Sequence, residues 1–197
     1  MRPVVRARNP RIAPSFVGRL VVLASALVVA LSLTPQRAAA DLGTIEVHTG
    51  VLRLERHGDA RYRPVVRGAF GVQVAGPLHM GGFVQLTGYE LPLRSAQPGG
   101  GLFLSVRPRI PLMRVRPSLD ASFARLRLPL DQLDGQPRPE AARTFAVSVA
   151  GNLGVAVADA VTLELRVEYA HYLGDDPTAG LGSGSIAGLF GMVIHIP

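Results

Sequence analysis

From about residue 43 to the end of the chain, apolar side chains recur at every second position, and clusters of Gly, Pro and Asp interrupt the runs. Residues 161–169 carry the pattern most clearly. Val161, Leu163, Leu165, Val167 and Tyr169 fall on one face, and Thr162, Glu164, Arg166 and Glu168 on the other. A period of two marks a strand whose two faces meet different surroundings. The same alternation sets Phe145, Val147, Val149, Leu153, Val155 and Val157 against Ala146, Ser148, Ala150, Asn152, Gly154 and Ala156. It returns at 66–74, 102–110 and 186–196, and no stretch after residue 41 has the helical period. The spacing predicts eight strands, at about 43–56, 61–75, 79–92, 102–110, 115–129, 143–157, 161–173 and 185–196.

The connections alternate in length. Long polar ones are expected at 57–60, 93–101, 130–142 and 174–184, and short ones at 76–78, 111–114 and 158–160. An up-and-down barrel with both termini on the periplasmic side has short turns there and longer loops outside. Hydrocarbon leaves no partner for an unpaired backbone group, so a sheet can cross a membrane only when closed on itself. The expectation is an all-β fold: a closed, eight-stranded, antiparallel, up-and-down transmembrane β-barrel, apolar outside and polar within. Tyr62, Tyr89, Phe103, Phe145, Tyr169 and Tyr172 fall near loop-side strand ends. Tyr62, Tyr89, Phe145, Tyr169 and Tyr172 are taken as an interfacial girdle, with Phe83 as the turn-side candidate.

The first forty residues differ in kind. Residues 1–19 hold five Arg and no acid, Leu20 to Leu33 form an apolar run, and TPQRAAA follows before Asp41. This order reads as a helical secretory signal peptide over 1–40, cleaved near Ala40, ahead of a barrel domain over 41–197. The run is shorter than the roughly 20 apolar residues a spanning helix needs. The leader also changes the meaning of the net charge of +7: all basic residues are Arg, and six of the 21 precede Asp41, leaving 15 against 14 acids. A nucleic-acid partner is therefore not expected. Cysteine is absent, which excludes disulfides and thiolate metal sites.

Over residues 43–196 the chain resembles the small eight-stranded outer-membrane barrels of the OmpA/OmpX type. The leader, the loop–turn alternation, the Gly-rich strands GAFGVQVAG and GSIAGLFGMVIHIP, and a final strand that ends the chain carry the resemblance. The chain departs from the type at its end, Ile194-His195-Ile196-Pro197, where an aromatic residue is usual. The resemblance implies a location in the outer membrane of a Gram-negative bacterium, contact with outer-membrane lipid and lipopolysaccharide, delivery by the barrel-assembly machinery, and a monomeric state.

Candidate chemistry lies on the polar phase. Arg107, Arg109, Arg116, Asp120, Glu164, Arg166 and Glu168 are predicted to point into the lumen, with the small residues of the sixth strand leaving room for them to meet. Eight strands enclose a space just wide enough for side chains to fill. An Arg–carboxylate network that plugs the interior is expected, in a barrel with a structural or interaction role. His48, His57, His79, His171 and His195 are scattered and match no metal motif, and no Ser sits in a GxSxG elbow. No cofactor, metal site or enzymatic activity is expected. Arg125 and Arg127 follow Phe123 on the lipid phase, and are placed at headgroup level beside anionic lipid. Two other readings share the period-two pattern: a soluble periplasmic lipocalin-like barrel carrying an apolar ligand inside, and a small outer-membrane pore or lipid-modifying enzyme.

Overall fold

The computed structural model describes residues 42–56, 59–88, 96–108, 114–129, 141–174 and 181–197. They form eight strands: β1 (Gly43–Arg56), β2 (Asp59–Ala75), β3 (Leu78–Thr87), β4 (Gln97–Val106), β5 (Val115–Pro129), β6 (Ala141–Ala158), β7 (Val161–Leu173) and β8 (Leu181–Ile196). Among the described residues there is no helix. Each strand pairs antiparallel with the next, and β8 returns to β1, so the sheet is a closed up-and-down barrel. The expected leader, Met1 to Ala40, lies outside the described residues.

Closure places Gly43 opposite Ile196. Leu42 N–H donates to Ile196 C=O at 2.8 Å and extends this seam. Both ends of the barrel therefore share one rim with the β2–β3, β4–β5 and β6–β7 connections, the turn rim. The strand ends that flank the four remaining connections lie at the opposite, loop rim. The length alternation is looser than the sequence pattern implies. Residues 57–58 alone join β1 to β2, whereas 107–114 separate β4 from β5.

Alternation along the strands decides what faces where. Val84, Leu102, Leu165 and Val167 point outward and are exposed, as are Phe70, Phe123 and Phe190. Their neighbours in sequence point inward and are buried. A lipocalin-like barrel would reverse this, with aliphatic side chains lining a cavity and polar ones meeting water. The chain is built the other way, which rules out that reading.

The expected bounds of the fourth strand need correction. It runs Gln97–Val106 rather than 102–110. Gln97-Pro98-Gly99-Gly100-Gly101, read as loop from its Gly and Pro content, is ladder, pairing with Thr87 to Phe83. Here glycine serves close approach. A Cβ on Gly101 would lie 2.1 Å from Phe123 C=O, and one on Gly99 would lie 3.0 Å from Leu126 Cδ2.

Two groups stand out among the inward residues. Toward the loop rim, Leu52, Leu54, Val65, Leu126, Leu128 and Tyr172 make an apolar core. Toward the middle and the turn rim lie buried Glu46, His48, Arg67, Asp120, Asn152, Glu164 and Arg166.

Candidate functional site in the barrel interior

Arg166 on β7 is the hub of the polar layer. Its Nη1 donates to Asp120 on β5 and, at 3.2 Å, to Asn152 Oδ1 on β6. Its Nε and Nη2 reach Glu168 Oε2 at 3.0 and 2.8 Å. The reach from β7 to β5 is possible because β6 places Ala150 and Asn152 inward between them. Glu168 is also held from the far wall, where Arg67 Nη1 on β2 donates to Oε2 at 2.9 Å. Ser148 donates to Glu168 Oε1 at 3.0 Å and sits 2.6 Å from Ser122. Arg67 lies over a ring as well, with its guanidinium carbon 3.7 Å from the Phe83 centroid. Strand walls β2, β5, β6 and β7 are thus tied through one ionic cluster. In a low-dielectric interior such groups are tolerated only when each charge is paired and hydrogen-bonded.

A second group lies nearer the turn rim. Arg107, just after β4, pairs with Glu46 on β1, and its Nε donates to Ser105 Oγ at 2.9 Å. Glu164 on β7 meets His48 on β1, with Oε1 3.1 Å from Nε2. Asn152 Nδ2 donates to Ser118 Oγ at 2.8 Å. Thr162 Oγ1 lies 3.0 Å from His195 Nε2.

The residues expected in the lumen are therefore divided. Asp120, Arg166 and Glu168 meet directly. Arg107 joins Glu46 instead, and Glu164 joins His48. Arg116 is half-buried and lines the turn-rim mouth, with no ion pair among the described residues. Arg109 lies outside the described residues. Sequence reasoning left out Glu46, His48 and Arg67. Their signal was present in the alternation: Glu46 and His48 interleave with exposed Ile45 and Val47, and Arg67 follows Val66.

The aromatic set also divides. Tyr62, Phe145 and Tyr169 point outward and are exposed, and Phe145 stacks on Phe123 with centroids 5.7 Å apart. Tyr172 does not belong with them. It takes the inward phase of β7 and is buried in the loop-side core, because Tyr169 and Tyr172 are an odd number of residues apart. Phe103 and Phe83 are likewise buried, Phe83 beneath Arg67 rather than in a turn-side girdle. Tyr89 lies outside the described residues. Arg125 is exposed and Arg127 half-buried, both on the outward phase near the end of β5 without a bulge. Arg127 stands directly opposite Arg143.

No protein-family model matches the chain, and no curated protein matches its sequence. Solved structures do match its shape. The structure of Neisserial surface protein A is similar at 15% identity and a TM-score of 0.60, over 79% of this chain and 97% of that one. The N-terminal β-barrel domain of Pseudomonas aeruginosa OprF is similar at 10% identity and a TM-score of 0.55, over 81% of this chain and 100% of that one. At such identities the likeness establishes the fold, that of the small eight-stranded outer-membrane barrels.

Proposed function

We propose that the mature chain is an outer-membrane β-barrel with a structural or interaction role, closed inside and presenting its long connections outside the cell. The observation that carries this reading is the outward belt of exposed aliphatic and aromatic residues around a sheet without edges, enclosing paired charges. A water-soluble protein rarely leaves so continuous an apolar surface bare. A closed sheet meets the demand that every backbone group be satisfied in hydrocarbon.

In this reading the turn rim, with both barrel ends, faces the periplasm after removal of the leader, and the loop rim faces outward. The Arg166 cluster and the apolar layer above it act as a plug. Two stacked layers of side chains fill the section of an eight-stranded barrel, so conduction is not its task. Outer-membrane lipid and lipopolysaccharide surround the barrel. Support for an anionic headgroup at the loop rim comes from Arg127 and Arg143. Like charges directly opposite on a ladder repel, and a phosphate between them would remove that cost. An enzymatic activity is not part of this reading.

The test is fractionation and mobility. Expressed with its leader, the protein should sediment with the outer membrane, and the unboiled sample should migrate differently from the boiled one on a denaturing gel. Recovery in the aqueous periplasmic fraction, with mobility indifferent to boiling, would overturn the proposal.

A further inference from the structure

Glu46 and His48 of β1 and Glu164 of β7 form a cluster that the Arg166 plug does not use. All three are buried, and one ligand atom from each lies within 4.8 Å of the others. The backbone register explains why they meet. Gly191 on β8 is the partner of His48 on one side and of Glu164 on the other. The two side chains therefore close over a position that has none. A Cβ on Gly191 would stand 2.5 Å from His48 Cδ2 and 2.1 Å from Val47 C=O.

The donor chemistry is that of a cation site. His48 Nε2 lies 3.1 Å from Glu164 Oε1, and Nδ1 has no hydrogen-bond partner among the described residues. Thr44 Oγ1 donates to Glu46 Oε1 at 3.3 Å, and Arg107 pairs with the same carboxylate, so Glu46 is held in place. With His48 neutral, as a metal ligand must be, Glu46, Glu164 and the guanidinium of Arg107 leave one negative charge. A buried carboxylate requires a compensating cation. Glu164 also lines an open cleft at the turn rim, together with Thr162, His79, His195 and the two cations Arg107 and Arg116, which provides a way in.

We propose that Glu46, His48 and Glu164 bind one divalent transition-metal ion of the zinc type within the lumen near the turn rim. Three mixed oxygen and nitrogen ligands with an open fourth position suit such an ion. Calcium and magnesium favour six or more oxygens and fit the set poorly. At the usual zinc distances of about 2.0–2.2 Å, tetrahedral ligand atoms stand about 3.4 Å apart. Binding therefore requires the three ligand atoms, now within 4.8 Å of one another, to draw together around the ion. The site does not depend on the proposed function, only on the fold.

The experiment uses the folded mature barrel in detergent, stripped by chelator and titrated with zinc chloride. One zinc per barrel is expected, and X-ray absorption at the zinc edge should show an oxygen/nitrogen shell containing one imidazole. His48→Gln and Glu164→Gln, each checked for heat-dependent gel mobility, should weaken binding about tenfold or more. His171→Gln, on the exposed outward face, should bind as the wild type does. Unsaturable uptake, a shell with no imidazole or several, or unchanged affinity in a folded His48→Gln protein would overturn the proposal. If neither variant folds, the imidazole count in the wild-type shell decides it.

Discussion

Arg166 shows what a single residue does in this lumen. Its guanidinium pairs with Asp120 and Glu168 together, and Arg67 shares Glu168 from the far wall. Arg166→Met should lower stability by about 3–5 kcal/mol, the usual consequence of breaking a buried pair from one side. The measurement is the urea midpoint of the barrel in lipid vesicles, and a change under 1 kcal/mol would mean that the cluster is not structural. Glycines separate by the same logic. A Cβ on Gly81 would sit 2.0 Å from Phe70 C=O and 2.8 Å from Phe103 Cε1, whereas one on Gly151 meets nothing within 4 Å. Gly81→Ala should therefore cost about 1–3 kcal/mol. Gly151→Ala should stay within about 0.5 kcal/mol of the wild type in the same unfolding series.

At the scale of a strand, position along the crossing sets how much an outward charge costs. Val149 is outward and exposed near the middle of β6, while Arg143 on the same phase lies near its loop-rim start. Val149→Arg should destabilise by about 2–4 kcal/mol in vesicles, against about 0–1 kcal/mol for charges near the interface. If Val149→Arg is neutral, the outward face does not meet acyl chains at mid-height. The paired ends of β5 and β6 bear on the lipid itself. Arg127 and Arg143 together should make the wild type more stable in vesicles containing anionic lipid than in neutral ones. The double Arg127→Ser, Arg143→Ser protein should lose most of that difference, read as a shift in unfolding midpoint.

The described residues form a closed barrel, with ion pairs toward its middle and Leu52, Leu54, Leu126, Leu128 and Tyr172 toward the loop rim, and in the proposed reading these two groups are the plug. In a planar bilayer the reconstituted barrel should show no steady single-channel steps. Discrete, reproducible openings in the wild type would make the pore reading correct and the plug wrong. The ionic layer holds β2, β5, β6 and β7, and the apolar layer fills the space where those strands approach the loop rim.

How much of this was legible in the chain depends on the distance over which each feature is decided. Strand number, phase and the outward apolar face follow from period two, because successive side chains must point to opposite sides of a sheet. That is why residues 161–169 could be assigned face by face. The ends of β4 were not legible, since Gly99, Gly100 and Gly101 look like a loop until the backbones of β3 and β5 are seen beside them. Tyr172 looked like a girdle member by its height along β7, and its phase placed it inside. Alternation alone also marked Glu46, His48 and Arg67 as inward, but not their partners. Which acid meets which base depends on inter-strand register. Gly191 standing between His48 of β1 and Glu164 of β7 is a fact of pairing between strands far apart in sequence. Only ring closure brings those strands together.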